Sequence, residues 1–122
     1  MPAGGRAGSA WRPERLRRSA DFRRAFRKGR RYRGDTLKAA IAWNSLGVLR
    51  LGFSVSAKKG NAVRRNRLRR RVRGMAGDYW PPASVDIVVW PAIRLEQMSL
   101  GMLKSEMGRI GAEIRQMARE GG

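Results

Sequence analysis

The chain has 122 residues, with 28 Lys or Arg against nine Asp or Glu and a formal net charge of +19. That length supports one domain with a modest core. The absence of Cys and His excludes disulfides and thiolate metal sites, and removes the commonest general base. Residues 1–10 lack the apolar segment of a signal peptide and no apolar run approaches the ~18 residues of a membrane span, so no membrane association and a cytoplasmic location are expected.

Residues 1–36 hold 12 basic and 3 acidic side chains, residues 37–77 hold 11 and 0, and residues 78–122 hold 5 and 6. An excess confined to the first two-thirds of a chain is the footprint of a phosphate-backbone binder.

Residues 1–13, rich in Gly, Ala and Arg, predict a disordered basic arm ahead of a folded domain over residues 14–122. A short helix follows, with Ser19 as N-cap, Asp21 complementing the helix dipole in the first turn and Gly29 at the C-terminal end. Phe22 and Phe26 share one face at i,i+4, flanked by Arg23, Arg24, Arg27 and Lys28. Such rings serve either as core or as stacking surfaces for unpaired bases whose backbone the cations hold.

Residues 37–44 alternate as a strand, with Leu37, Ala39, Ile41 and Trp43 on one face and Lys38, Ala40, Ala42 and Asn44 on the other. Asn44-Ser45-Leu46-Gly47 reads as a hairpin turn into a second strand over residues 48–56. There Leu49, Leu51, Phe53 and Val55 point to the core, while Arg50, Gly52, Ser54 and Ser56 form a small polar face. That face suits either solvent or an extended nucleic-acid strand.

Next comes the densest feature, seven arginines among the ten residues 64–73 with no acid beside them. As a helix from about Arg64, the segment places Leu68, Val72 and Met75 on one apolar face, with Arg67, Arg69, Arg70 and Arg73 well away from it. Like charges at i,i+4 repel, so the helix needs docking along its apolar stripe and a polyanion over its outer face. RNA fits this better than a solvated surface or an anionic membrane. A DNA recognition helix is disfavoured, because an unbroken arginine run carries little base-reading information.

Trp80-Pro81-Pro82 forces an irregular turn, and residues 85–90 form a nearly continuous apolar run expected of a strand buried on both faces, closed by Pro91. A final helix over about residues 97–119 carries the stripe Leu100, Leu103, Met107, Ile110, Ile114 and Met117. Gly101, Gly108 and Gly111 in it either allow close approach to the sheet or only weaken the helix. Glu106 and Glu113 read as a solvated helix edge. The carboxylates are otherwise scattered, so neither a catalytic acid/base pair nor a metal site is predicted.

Residues 53–63, Phe-Ser-Val-Ser-Ala-Lys-Lys-Gly-Asn-Ala-Val, lead directly into Arg-Arg-Asn-Arg-Leu-Arg-Arg at 64–70. With Ser-Ala-Asp-Phe-Arg-Arg-Ala-Phe-Arg-Lys-Gly at 19–29 and Asp-Ile-Val-Val at 86–89, this resembles the bacterial ribonuclease P protein component across roughly residues 14–118. The resemblance implies an α+β fold: a two-layer sandwich with a mixed four-stranded sheet and a left-handed β-α-β crossover, similar to a ribosomal-protein domain. It implies a non-catalytic subunit of the endonuclease that removes the 5′ leader from precursor tRNA, the chemistry residing in Mg²⁺ held by the partner RNA.

By the same resemblance, Lys58, Arg64, Arg65, Asn66, Arg67, Arg69, Arg70 and Arg73 would bind ribonuclease P RNA. Phe22 and Phe26, with Arg50, Ser54 and Ser56 on the facing strand, would line the leader cleft. A holoenzyme dimer is among the assemblies this allows. Three positions depart from the family pattern: Ala57 replaces the first lysine of a pair, the first strand offers Lys38, Ala40 and Ala42 where an aromatic often lines the cleft, and Pro91 occupies a commonly basic position. A ribosomal or other structural RNA-binding protein is the competing reading.

Overall fold

The computed structural model describes residues 11–121. Its elements are β1 (Glu14–Arg15), α1 (Ser19–Lys28), β2 (Arg30–Arg33), β3 (Leu37–Trp43), β4 (Arg50–Phe53), α2 (Ala62–Tyr79), β5 (Val85–Pro91) and α3 (Leu100–Arg119). Residues 1–10 of the expected basic arm lie outside the described residues. Trp11 packs against the main core and Pro13 is buried.

The mixed sheet has the order β1-β4-β5-β3-β2. Its four substantial strands are joined by the two-residue β1, which adds a fifth parallel to β4 through the Glu14 N–H to Leu49 carbonyl bond of 2.8 Å. β4 and β5 are parallel neighbours connected through α2, while β5 pairs antiparallel with β3 and β3 with β2.

The hairpin expected between residues 37–44 and 48–56 does not form, because β5 lies between β3 and β4. The turn itself is tight, with Ser45 at φ 58° and Gly47 at φ 76°. The Asn44 side chain organises it, accepting from the Leu46 N–H at 2.8 Å and donating to the Val48 carbonyl and the Asp86 carboxylate, each at 2.9 Å. With its carbonyl also taking the Ser84 hydroxyl at 2.7 Å, the buried amide is satisfied, and the chain leaves the turn on the far side of β5.

The main core lies between one sheet face and helices α2 and α3. Leu37, Ala39 and Ile41 of β3, Leu51 of β4 and Ile87 and Val89 of β5 meet Leu68, Val72 and Ala76 of α2 and Leu103, Met107, Ile110 and Ile114 of α3. The α2 stripe thus runs through Ala76 rather than Met75, which is only half-buried. α3 begins later than expected, with Ser99 as its cap accepting from the Met102 N–H at 3.1 Å. Of its glycines only Gly111 makes a close approach, to the Tyr79 carbonyl at the end of α2 rather than to the sheet.

Glu106 departs from its expected place on a solvated edge, being 1% exposed. Its carboxylate accepts from the Thr36 N–H at 2.7 Å and the Leu37 N–H at 3.0 Å, and from the Tyr32 hydroxyl. It thereby ties α3 to the turn between β2 and β3. Burial, then the Glu106 carboxylate, pushes the Tyr32 phenol above its ordinary pKa.

α1 covers the opposite sheet face, over a smaller cluster of Leu16, Ala25, Ala40, Ala42 and Val88. It starts without a side-chain cap, Ser19 being already helical and Arg18 standing at the N-cap. Gly29 ends it in extended backbone at φ −77°, and a β-carbon there would collide with the Ala25 carbonyl.

Candidate nucleic-acid interface

Strand alternation and register array the α1-side face of the sheet in rows. Arg50, Asp86 and Ala42 form one row, Gly52, Val88 and Ala40 the next, and Trp90, Lys38 and Arg33 a third, with Ser54 beside Trp90. α1 lies over the first two rows. The polar face expected from Arg50, Gly52, Ser54 and Ser56 is therefore divided.

Arg50 lies under the start of α1 and holds the fully buried Asp86 with two 2.7 Å hydrogen bonds, its third nitrogen 3.4 Å from Asp21. The Asp86 hydrogen bonds first, with its charge and that of Asp21, raise the Arg50 pKa. A guanidinium so engaged anchors α1 to the sheet. Arg24 closes the same cluster, 3.7 Å from Asp86 and hydrogen-bonded to the Trp43 carbonyl.

Gly52 seats Phe22. A β-carbon there would come within 2.5 Å of the ring tip and 3.1 Å of the Leu16 β-carbon. Phe26 packs on Trp90 with ring centroids 5.2 Å apart. Both phenylalanines are half-buried, so neither the pure core nor the pure surface reading describes them. Ser54 and Ser56 are exposed beyond the helix, and the Ser56 hydroxyl accepts from the Lys58 N–H at 3.3 Å, capping the single turn Ala57–Lys59.

α2 starts at Asn61, whose side chain accepts from the Arg64 N–H at 2.9 Å. The docking of Leu68, Val72 and Ala76 splits its arginines into two strips. Arg64, Arg67 and Arg71 flank a hollow beside the start of α3, whereas Arg69, Arg70 and Arg73 turn toward β1 and meet Arg12 and Arg15. Arg65 is held to the Gly60 carbonyl at 3.2 Å, and Asn66 accepts from Arg69 at 3.0 Å. Lys58 is exposed. Among the described residues, no carboxylate lies within ion-pair distance of any α2 arginine.

Arg73 is the most informative of them. Its guanidinium stands 5.6 Å from the Phe53 ring, and one terminal nitrogen is buried without a hydrogen-bond partner among the described residues. Desolvation first, then the charges of Arg15 and Arg17, lowers its pKa. It borders an open groove of about 340 Å³ that also reaches Phe22, Gly52 and Phe53. A desolvated cation with no counter-charge, beside aromatic rings, is arranged for an anion that carries flat groups.

Sequence reasoning missed Trp90, Arg15 and Arg17. Trp90 was expected inside a strand buried on both faces, and only the register with Lys38 and Arg33 places it on the open row. The one available signal was a tryptophan following the aliphatic residues 87–89.

A family model described as Ribonuclease P matches residues 11–115. The chain belongs to the ribonuclease P protein family. A ribonuclease P protein component from Natranaerobius thermophilus is 43% identical over 58 residues, 48% of this chain and 50% of that relative, so the match spans half its length. One from Oleidesulfovibrio alaskensis is 36% identical over 110 residues, 85% of this chain and 88% of the relative. The structure of the RNase P protein from Thermotoga maritima superposes with a TM-score of 0.70 at 28% identity, covering 83% of this chain and 97% of that one. Family membership carries the α+β fold with its mixed sheet and favours the ribonuclease P reading over a ribosomal one. Among the described residues no helix is long and apolar enough to cross a membrane.

Proposed function

We infer that this chain is the protein subunit of ribonuclease P, binding ribonuclease P RNA along α2 and the 5′ leader of precursor tRNA in the cleft beside α1. The observation that carries the reading is the set of α2 arginines without carboxylate partners, ending in the desolvated Arg73 beside Phe53. Each phosphate neutralised releases counterions, which drives binding. Arg64, Arg65, Arg67, Arg69 and Arg70, with Asn66 orienting Arg69 and Lys58 on the preceding turn, form the RNA-facing surface. Phe22, Phe26, Ser54 and Ser56 border the leader path. Arg50 contributes by fixing α1.

Cleavage chemistry in this reading belongs to Mg²⁺ held by the RNA. The described residues offer no cluster of three or more Asp or Glu suited to a metal ion, and the buried carboxylates Asp86 and Glu106 are already occupied by Arg50 and by backbone N–H groups. The protein's part is electrostatic and geometric, and the complex would act in the cytoplasm.

The test combines two measurements. Arg65→Ala with Arg67→Ala should weaken binding to ribonuclease P RNA and flatten the dependence of log K on log salt, by up to roughly one unit per lost phosphate contact. RNA-free protein with Mg²⁺ and precursor tRNA should give no cleavage. An unchanged salt slope in the folded double variant, or site-specific cleavage by the protein alone, would overturn the reading.

A further inference from the structure

The third row of the α1-side face carries an aromatic and two cations, with a third cation, Arg31, beside Ala40 in the neighbouring row, none of them part of the arginine helix. Trp90, at the end of β5, is half-buried with Lys38 as its cross-strand neighbour, and Arg33 follows Lys38 in the register. Phe26 packs against Trp90 at 5.2 Å and 47°, so the two rings form a tilted wall rather than a closed stack. The Arg31 guanidinium lies 5.4 Å from the Phe26 ring and 5.9 Å from Trp90, and a 2.8 Å bond to the Phe26 carbonyl holds it there. Arg31, Tyr32, Arg33, Lys38 and Trp90 enclose an open hollow of about 250 Å³. No carboxylate lies within ion-pair distance of Arg31, Arg33 or Lys38 among the described residues.

We propose that Trp90, backed by Phe26 and flanked by Arg31 and Lys38, is a stacking platform for one unpaired nucleobase of single-stranded RNA, occupied in the complex by a leader nucleotide. The occupant rests on the function proposed above; the platform itself rests on the row geometry. A half-open indole offers a π-face that any base can use, and cations on either side hold the flanking phosphates. Stacking strength favours purines, so the platform prefers a purine. Trp90 also places an aromatic in this cleft although β3 supplies none: Lys38, Ala40 and Ala42 occupy the β3 face, and the indole comes from the adjacent strand.

The first arm of the test uses the full chain with short oligoadenylate, oligouridylate and an abasic oligomer of equal length, at salt high enough to suppress backbone-only binding. Oligoadenylate should bind tighter than the other two. Trp90→Ala should remove roughly 5- to 150-fold of that affinity, the equivalent of ~1–3 kcal/mol of stacking, while Trp90→Phe retains most of it. Thermal melts accompany each variant. A native-like Trp90→Ala melt with unchanged oligoadenylate binding, or equal binding of abasic and adenylate oligomers by the unsubstituted chain, would overturn the platform.

The second arm uses the complex reconstituted with ribonuclease P RNA. A single leader position should weaken binding when its base is removed, and the same removal should have no effect in the Trp90→Ala complex while keeping most of its effect in Trp90→Phe. If precursor and mature tRNA bind alike, the leader reading fails and the assigned occupant with it, while the first arm still decides the platform. If binding depends on the leader but no position couples to Trp90, the assignment of the occupant alone is overturned.

Discussion

Replacing Arg73 by Met should make the protein more stable and a poorer RNA binder. The buried guanidinium nitrogen without a partner carries an unmet desolvation cost of about 1–3 kcal/mol. Repulsion from Arg15 and Arg17 adds to it. Against this, the contact with the Phe53 ring at 5.6 Å returns about 0.5–1 kcal/mol, and methionine keeps most of the packing of the aliphatic stem. The net gain is therefore up to about 2.5 kcal/mol, or a rise in Tm of up to about 10 °C for a domain of this size. RNA affinity should fall together with the salt slope, by about 0.7–0.9 for one lost phosphate contact. Melts at low and high salt beside titrations with ribonuclease P RNA give both quantities. A lower Tm with an unchanged slope would refute the argument, because it would make Arg73 a structural residue with no anion to meet.

Phe22→Ala should cost ~1–3 kcal/mol in binding precursor tRNA and nothing with mature tRNA; its stability loss should stay below the ~3–5 kcal/mol of a fully buried phenylalanine. Equal binding losses with both RNAs would instead make the ring purely structural. Asp86→Ala should destabilise the fold by ~3–5 kcal/mol by stranding Arg50 under α1, and a denaturation midpoint near that of the unsubstituted protein would contradict this. Tyr32 has a folded-state pKa raised above its ordinary value of 10.0, so its stabilisation is complete below pH 10 and is lost as pH rises toward the folded pKa. Tyr32→Phe should therefore lose less stability than the unsubstituted protein between pH 9 and 11, and parallel losses would exclude this linkage.

Much of the site's electrostatics was legible because it is carried by adjacent residues. The α2 arginines and the Leu68/Val72 docking stripe lie within one helix, where 3.6-residue periodicity fixes which side chains share a face. The placing of Phe22 and Phe26 on one side of α1 followed from the same rule. What lies under them did not. Gly52 as the seat of Phe22 and Trp90 as the neighbour of Phe26 both depend on pairing between segments far apart in the chain.

The sequence by itself determined a basic chain of mixed helices and strands, its apolar stripes, the arginine helix and the motifs whose resemblance to one RNA-binding family implied the α+β fold. Those features come from local periodicity, composition and motif order. Only the tertiary structure decided that β5 separates β3 from β4, since strand alternation specifies faces and never neighbours. That insertion turned Arg50 from a cleft residue into the partner of Asp86, and set Trp90 beside Lys38. It likewise took the folded chain to bring backbone N–H groups of residues 36 and 37 onto Glu106, burying a carboxylate that the helix pattern alone places at the surface. A charged group can be buried only where donors converge on it, and here the donors come from about 70 residues away along the chain.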